Sequence, residues 1–463
     1  MDTAGVGFQS PPRTEFAEER DEVVHGRQQA HLIHPRGSHG AHGVDSTVPT
    51  VPASPRFCVG TGSVMTASGR PPLDGIRVLD FSRVIAGPAC TQSLADMGAE
   101  VIKIEDPDGG DDGRRLAGPK VGSQTHFFLA FNRGKKSVAL DIGTREGQEI
   151  IARLLPDCDV LVENFRPGVM KRFGLDYASL KERHPRLVYL SVSAYGQTGP
   201  MADRPGFDPV LQAESGMMAL TGDPDGPPMR HALSIIDTLT AVHATSAILA
   251  ALYARRDTGR GQHIDLALFD VAIAALGNAG LYYLSSGTQP PRSGNAHMTS
   301  TPTNAFPTSN GLLYMAVANQ KLFAEMCRSI GRPEWIDDPR FATTASRTQN
   351  RPALFALMNA VLATDTKENW ARRLRHLPVG PVRDLAEALE SEEVAARGMV
   401  RTMHHPDVGD FRVLGSVYRL SDTPVGTDEP PPLLGEDSDR VLRDLAGCDD
   451  TAIAALRAKG VVG

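Results

Sequence analysis

An α/β fold, a doubly wound parallel sheet followed by a second, smaller domain, is what the residue pattern of this chain implies. From residue 75, short apolar runs rich in β-branched residues (GIRVLDF, EVIKIE, KSVALDI, DVLVENF, RLVYLSVS) alternate with helical stretches (GPACTQSLADMGA, TREGQEIIARLL, YASLKERHP). Strands that are apolar nearly throughout belong to parallel sheets covered by helices on both faces. Length is the second observation: 463 residues exceed one ordinary domain and leave room for sizeable cores.

Before that pattern begins, residues 1–70 are rich in Pro, Gly, Ser and Thr and show no apolar periodicity, the composition of a disordered extension. Five of the 14 histidines (His25, His31, His34, His39, His42) fall there at spacings that fit no closed metal site. Met65 stands just before TASGRPPLDG and is an alternative start for the chain. A large domain is expected over 73–240. The run TLTAVHATSAILAALYARR, ending in Arg255 and Arg256, reads as a buried helix with positive charge at its C-terminal end, and 241–264 as a linker helix. HIDLALFDVAIAALG reads as a strand passing into a helix, and a Pro- and Gly-rich loop is expected over 287–311. The charged helical segments KLFAEMCRSIG, NRPALFALMNAVLA and TKENWARRLRHL fill a small domain over 265–380, and 381–463 is expected to be a return segment.

The 48 Lys and Arg against 55 Asp and Glu give a net charge of −7, with no basic excess for nucleic acid or an anionic membrane. A small molecule is the expected partner. Five scattered cysteines without a CxxC pair support neither a disulfide framework nor a zinc site, so no metal is expected and a cytoplasmic location is. The first 30 residues lack the basic-then-apolar order of a secretory signal, and no run of 18 apolar residues predicts a membrane span.

After the first strand the sequence is DFSRVIAGPAC, without the GxGxxG of dinucleotide sites; GxxxxGK[ST], GxSxG and HExxH are also missing. What remains is a pair of carboxylates before helical sequence: Asp208 in PGFDPVLQAESG and Asp237 in ALSIIDTLTAVHA. Either can cap a helix; equally, a carboxylate at a helix N-terminus can serve as a nucleophile toward an acyl group.

In order, PLDGIRVLDFSRVIAGPACTQSLADMGAEVIKIEDP, NRGKKSVALDI, DVLVENFRPG, GFDPVLQAESG, ARRDTGRGQHIDLALFD and PLLGEDSDRVL resemble the class III CoA-transferases (the CaiB/BaiF family), the group that includes formyl-CoA transferase and carnitine CoA-transferase. The resemblance spans about residues 73–445. It implies a Rossmann-like large domain that binds CoA, a smaller α+β domain, and an interlocked homodimer whose folding and assembly are coupled. It also implies that acyl-CoA and a short organic, possibly dicarboxylic, acid are the substrates, with CoA as substrate and no tightly bound cofactor. Asp237 matches the nucleophile, which forms a mixed anhydride and then an enzyme-CoA thioester; backbone N–H groups at the start of its helix are expected to hold the oxyanion. Asp208 matches a second acidic catalytic position. For CoA, Ile85, Ala86, Asn164, Phe165, Arg166 and Arg172 carry over. Asp106, Gly143 and Pro205 stand where formyl-CoA transferase has basic residues, so Arg114, Arg133, Lys135 and Arg145 become candidates for the phosphates. In the loop RSGNAHMTSTPTNAF, residues His297, Thr299, Thr301 and Asn304 are candidates for contact with a carboxylate. α-Methylacyl-CoA racemases share the family, but Phe207 occupies the place of their proton-transferring His and cannot act as a base. A racemase-type isomerase and a CoA-binding protein without activity are the alternatives.

Overall fold

The computed structural model describes residues 69–463; the five N-terminal histidines and Met65 lie outside the described residues. Six strands form one sheet: β1 (Arg77–Asp80), β2 (Glu100–Glu105), β3 (Lys135–Ala139), β4 (Val160–Glu163), β5 (Val188–Ser193) and β6 (His263–Ala267). Their order is β3-β2-β1-β4-β5-β6 and every pair is parallel. This is a doubly wound order, and the chain reverses its direction of travel between β1 and β4, opening a crevice at the carboxyl ends of those two strands.

Alternation along the strands feeds two cores. On one face Leu79, Ile102, Val138, Leu161 and Tyr189 meet Ile150, Ile151 and Leu154 of α2 (Arg145–Leu154) and Val441 and Leu442 of the helix Ser438–Asp444. On the other, Val78, Val101, Val160, Val162 and Leu190 meet Cys90 and Leu94 of α1 (Ala86–Asp96), Leu211 of α3 (Asp208–Glu214) and the stripe Ile236, Ala241, Ala244, Ile248, Ala251 of α4 (Ile235–Thr258). The small residues of that stripe let α4 lie close against α1. The helix is not buried all round as its composition suggests: Val242 is 59% and Tyr253 69% exposed on its outer side. By length and composition α4 passes for a membrane span, with a mean hydropathy of 1.6, although its inner stripe belongs to the sheet's own core.

A third core, built on Phe306, Leu313, Met315, Phe323, Leu354 and Trp370, packs beneath an antiparallel sheet of β7 (Thr303–Thr308), β8 (Gly311–Ala316) and β9 (Val379–Pro381). Here β7 corrects the expectation of a continuous loop over 287–311. Its prolines and threonines hide the strand from a compositional reading, yet the turn at Ser309–Asn310 pairs it with β8 in register from Thr303↔Ala316 to Thr308↔Gly311.

The C-terminal segment finishes the sheet edge at β3. The Ser137 N–H donates to Asp437 Oδ2 at 2.9 Å and the Ala139 N–H to Ser438 Oγ at 3.1 Å, while Asp437 N–H reaches back to the Ser137 carbonyl. Both donors would otherwise be orphaned on an edge strand. Asp437→Ala is expected to destabilise the protein by about 1–3 kcal/mol, seen as a lower urea midpoint with little change in m-value.

Candidate active site

The crevice between β1 and β4 holds a cavity of about 420 Å³. Its walls come from Arg83–Ala86 after β1, Asn164–Arg166 after β4, Val192–Ala194 at the end of β5, Gly206 and Phe207 ahead of α3, and Asp237 in the first turn of α4. Segments spread from Arg83 to Asp237 in sequence therefore converge because parallel strands end on the same side of a sheet.

Asp208 and Asp237 have separate tasks. Asp208 is buried and does not line the cavity; its Oδ2 accepts the N–H groups of Ile236 at 2.7 Å and Asp237 at 3.2 Å, and its Oδ1 accepts from Gln212 Nε2 at 2.6 Å. Gln212 Oε1 in turn accepts the His231 N–H, which fixes the chain leading into α4. With Ile235 N–H on Leu233 O and Thr238 N–H on Ser234 O, every N–H of the first turn of α4 has a partner. The expectation that these groups hold an oxyanion is therefore corrected: Asp208 already occupies them. The Asp237 carboxylate faces the cavity and accepts no hydrogen bond or ion pair among the described residues. Burial, with a further push from the neighbouring Asp208 charge, raises its carboxyl to about 7.

The N-terminus of α1 borders the same cavity. Ile85 at its N-cap makes no side-chain cap, and the N–H groups of Ile85, Ala86 and Gly87 donate to nothing among the described residues. This terminus is the open one, and its residues Ile85 and Ala86 line the cavity. The β4 turn is held by Glu163, whose Oε2 accepts the Phe165 N–H at 2.9 Å, and by Asn164. Both ends of the Asn164 amide bind the Arg83 backbone, Oδ1 accepting its N–H and Nδ2 donating to its carbonyl, each at 2.8 Å. Arg83 lies over the Phe165 ring at 4.8 Å.

Of the residues expected to contact CoA, the cavity brings together Ile85, Ala86, Asn164, Phe165 and Arg166 with Asp237, and leaves out Arg172, which packs over Phe173. The substitute cations are engaged elsewhere: Arg114 pairs with Glu105, Arg133 with Asp96, Lys135 with Asp80, and Arg145 with Glu149 on the surface. The cations at the cavity are Arg83 and Arg166. Nothing in the sequence marked Arg83, and Ser193 was likewise missed; its Oγ is buried at the cavity wall without a partner. Phe207, 72% exposed, stands at the rim and supplies no base. In the 292–306 loop, the Thr301 carbonyl accepts from Arg347 Nε and Thr301 is fully buried, a structural role, whereas Asn304 borders a separate hollow with Arg292 and Arg351. Among the described residues no group of three or more His, Cys, Asp or Glu is placed to hold a metal ion.

The model of CoA-transferase family III matches residues 73–438. The chain belongs to that family. Succinyl-CoA:glutarate CoA-transferase of Mus musculus is 38% identical over 393 residues, covering 84% of this chain and 90% of its own, and succinate–glutarate CoA-transferase of Agrobacterium fabrum is 39% identical over 396 residues, covering 83% and 98%. A solved CaiB/BaiF family protein from Brucella suis superposes with a TM-score of 0.73 at 37% identity, covering 81% of this chain and all of that one. As a family III member the protein is an enzyme of the CoA-transferase class.

The raised Asp237 carboxyl has a stability consequence. A carboxyl whose folded value of about 7 lies above its ordinary 3.8 weakens the fold increasingly as pH rises through that interval. Asp237→Asn is therefore expected to raise Tm at pH 8 by a few degrees, with the difference vanishing below pH 4, measured by calorimetry at both pH values.

Proposed function

We propose that this enzyme moves CoA from a dicarboxylic acyl-CoA, succinyl-CoA in the first instance, to a second dicarboxylic acid of the size of glutarate, with Asp237 as the covalent carrier. One observation carries the reading: an unpartnered, desolvated carboxylate shares a cavity of about 420 Å³ with the open N-terminus of α1. The identity to two transferases that act on succinate and glutarate supports the substrate class.

Asp237 in its ionised form attacks the thioester carbonyl; the carbon–sulfur bond breaks, CoA leaves as thiolate and a mixed anhydride remains. The thiolate attacks the Asp237 carbonyl, releasing the donor acid and leaving an enzyme-CoA thioester. The acceptor carboxylate then repeats the sequence in reverse, and an activated acyl bond is kept at each step. The free N–H groups of Ile85–Gly87 stabilise the oxyanions, in place of those Asp208 occupies. Arg83 and Arg166 supply positive charge for phosphate or for the far carboxylate of the diacid. The racemase alternative needs a second base where Phe207 stands.

A second copy of the chain is part of the proposal. Phe207 at the cavity, and Leu233, Val242, Tyr253, Leu281 and Leu284 elsewhere, are each more than half exposed. So many large exposed apolar side chains fit burial in a homodimer, which would also shield the anhydride from water.

The test is mass spectrometry of the enzyme mixed with succinyl-CoA and quenched with hydroxylamine. A hydroxamate at Asp237 in the wild type, missing in Asp237→Ala together with about 10³-fold or greater loss of exchange into glutarate, is the expected result; full exchange by Asp237→Ala would refute the assignment. Because attack needs the carboxylate, kcat/KM is expected to fall as pH drops below about 7. Asp208→Asn, which keeps an acceptor for the two N–H groups but removes the charge, is expected to move that limb to lower pH.

A further inference from the structure

Among the described residues Val84 is the one non-glycine with a positive φ, at 70°. A β-branched side chain in the left-handed region is strained, and such strain persists only where surrounding structure imposes it. The restraint is visible. Val84 N–H donates to Asp111 Oδ1 at 3.0 Å, and the same oxygen accepts the Gly113 N–H at 2.8 Å. Asp111 is buried and paired with fully buried Lys103, Nζ to Oδ2 at 2.9 Å, and Lys103 Nζ also donates to the Ser82 carbonyl at 2.6 Å. From the opposite side Asn164 brackets the Arg83 backbone. Three consecutive residues of the loop are thus gripped by side chains from β2, from the 106–113 segment and from the β4 turn.

We propose that Asp111, backed by Lys103, is a positioning residue for acyl transfer: by holding Val84 in the left-handed conformation it sets Ile85 and Ala86 as the cavity wall that faces Asp237. Asp111 touches no part of the cavity itself. Its charge is not needed for burial's sake, since a buried ion pair contributes little net stability compared with apolar residues of similar size. What the pair supplies is a fixed acceptor for a backbone N–H in a conformation the chain avoids on its own. The first residue after this turn, Ile85, would swing away from the cavity were Val84 to relax to a negative φ. The inference rests on the transferase reading for its catalytic readout.

The experiment compares Asp111→Ala in the wild-type and Val84→Gly backgrounds, because glycine adopts φ near +70° without restraint. In the wild-type background kcat for succinyl-CoA to glutarate exchange is expected to fall at least about tenfold. In the Val84→Gly background the same substitution is expected to lower kcat by less than about threefold, a coupling that a general loss of stability would not give. Equal losses in both backgrounds, or no loss in either, overturn the proposal. Should Asp111→Ala fail to fold, Lys103→Met/Asp111→Leu removes the acceptor without leaving a lone buried charge and is carried through the same comparison. Amide hydrogen exchange gives an arm independent of activity. The Ser82 and Arg83 amides keep their own acceptors, Asp80 and Asn164, yet are expected to exchange faster in the Asp111 variant while β2 amides do not; unchanged rates at both overturn the proposal. If the wild type exchanges CoA with no donor, the transferase reading fails, and the exchange arm still decides the restraint.

Discussion

Charge buried beneath the end of β1 is the constraint on which the site depends. Asp80 has no access to water and accepts from Ser82 N–H at 2.9 Å, Thr91 Oγ1 at 2.6 Å and Lys135 Nζ at 3.2 Å. Burial alone would raise its carboxyl, but Lys135 and Lys103 hold it well below the usual range. Lys103 carries the network on to Asp111, whose N–H donates to Glu105 Oε2 at 3.0 Å, and Glu105 is held in turn by Arg114 and Ser137. Isolated buried charges are costly, so each member requires the others. A core of leucines in the same place would fold as well; it would offer no polar atoms to the backbone of residues 82–84, from which the cavity wall is built.

Two helix N-termini meet at the cavity and are treated in opposite ways. That of α4 is closed by Asp208, which leaves Asp237 beside a second negative charge and raises its proton affinity. That of α1 is open. In the proposed mechanism, nucleophile and donors consequently come from different helices that line one cavity. The division follows from residue 208 being a carboxylate: a shorter or apolar residue there would free the α4 donors and remove the repulsion on Asp237.

Strand positions were legible in the sequence, since a strand covered on both faces must be apolar: β2 lies at the residues expected, and β1, β4 and β5 fall within the expected runs. The same rule concealed the polar layer. Asp80 in GIRVLDF and Lys103 in EVIKIE look like strand ends or surface positions, and their partners lie 55 and 8 residues away, distances that leave no periodic trace. For this reason Arg114, Arg133 and Lys135 were open candidates for phosphate contact although each already has a buried carboxylate. Asp208 and Asp237 are legible because both stand at the start of helical sequence, in the first turns of α3 and α4. Which of them caps and which faces the cavity depends on how α3 meets α4, a tertiary contact that spacing does not encode. The outer face of α4 departs from the expected burial because small and β-branched residues suit buried and exposed helix faces alike.

The most direct test of Asp237 as the carrier is to supply succinyl-CoA with glutarate labelled by ¹⁸O in its carboxylates and to weigh the peptide containing Asp237 after turnover. If the acceptor opens an Asp237-CoA thioester, one of its oxygens stays on the enzyme when the thiolate takes the acyl group, so the label is predicted to accumulate in the Asp237 carboxylate and in no other residue. Rapid formation of glutaryl-CoA with no ¹⁸O in that peptide would contradict the account.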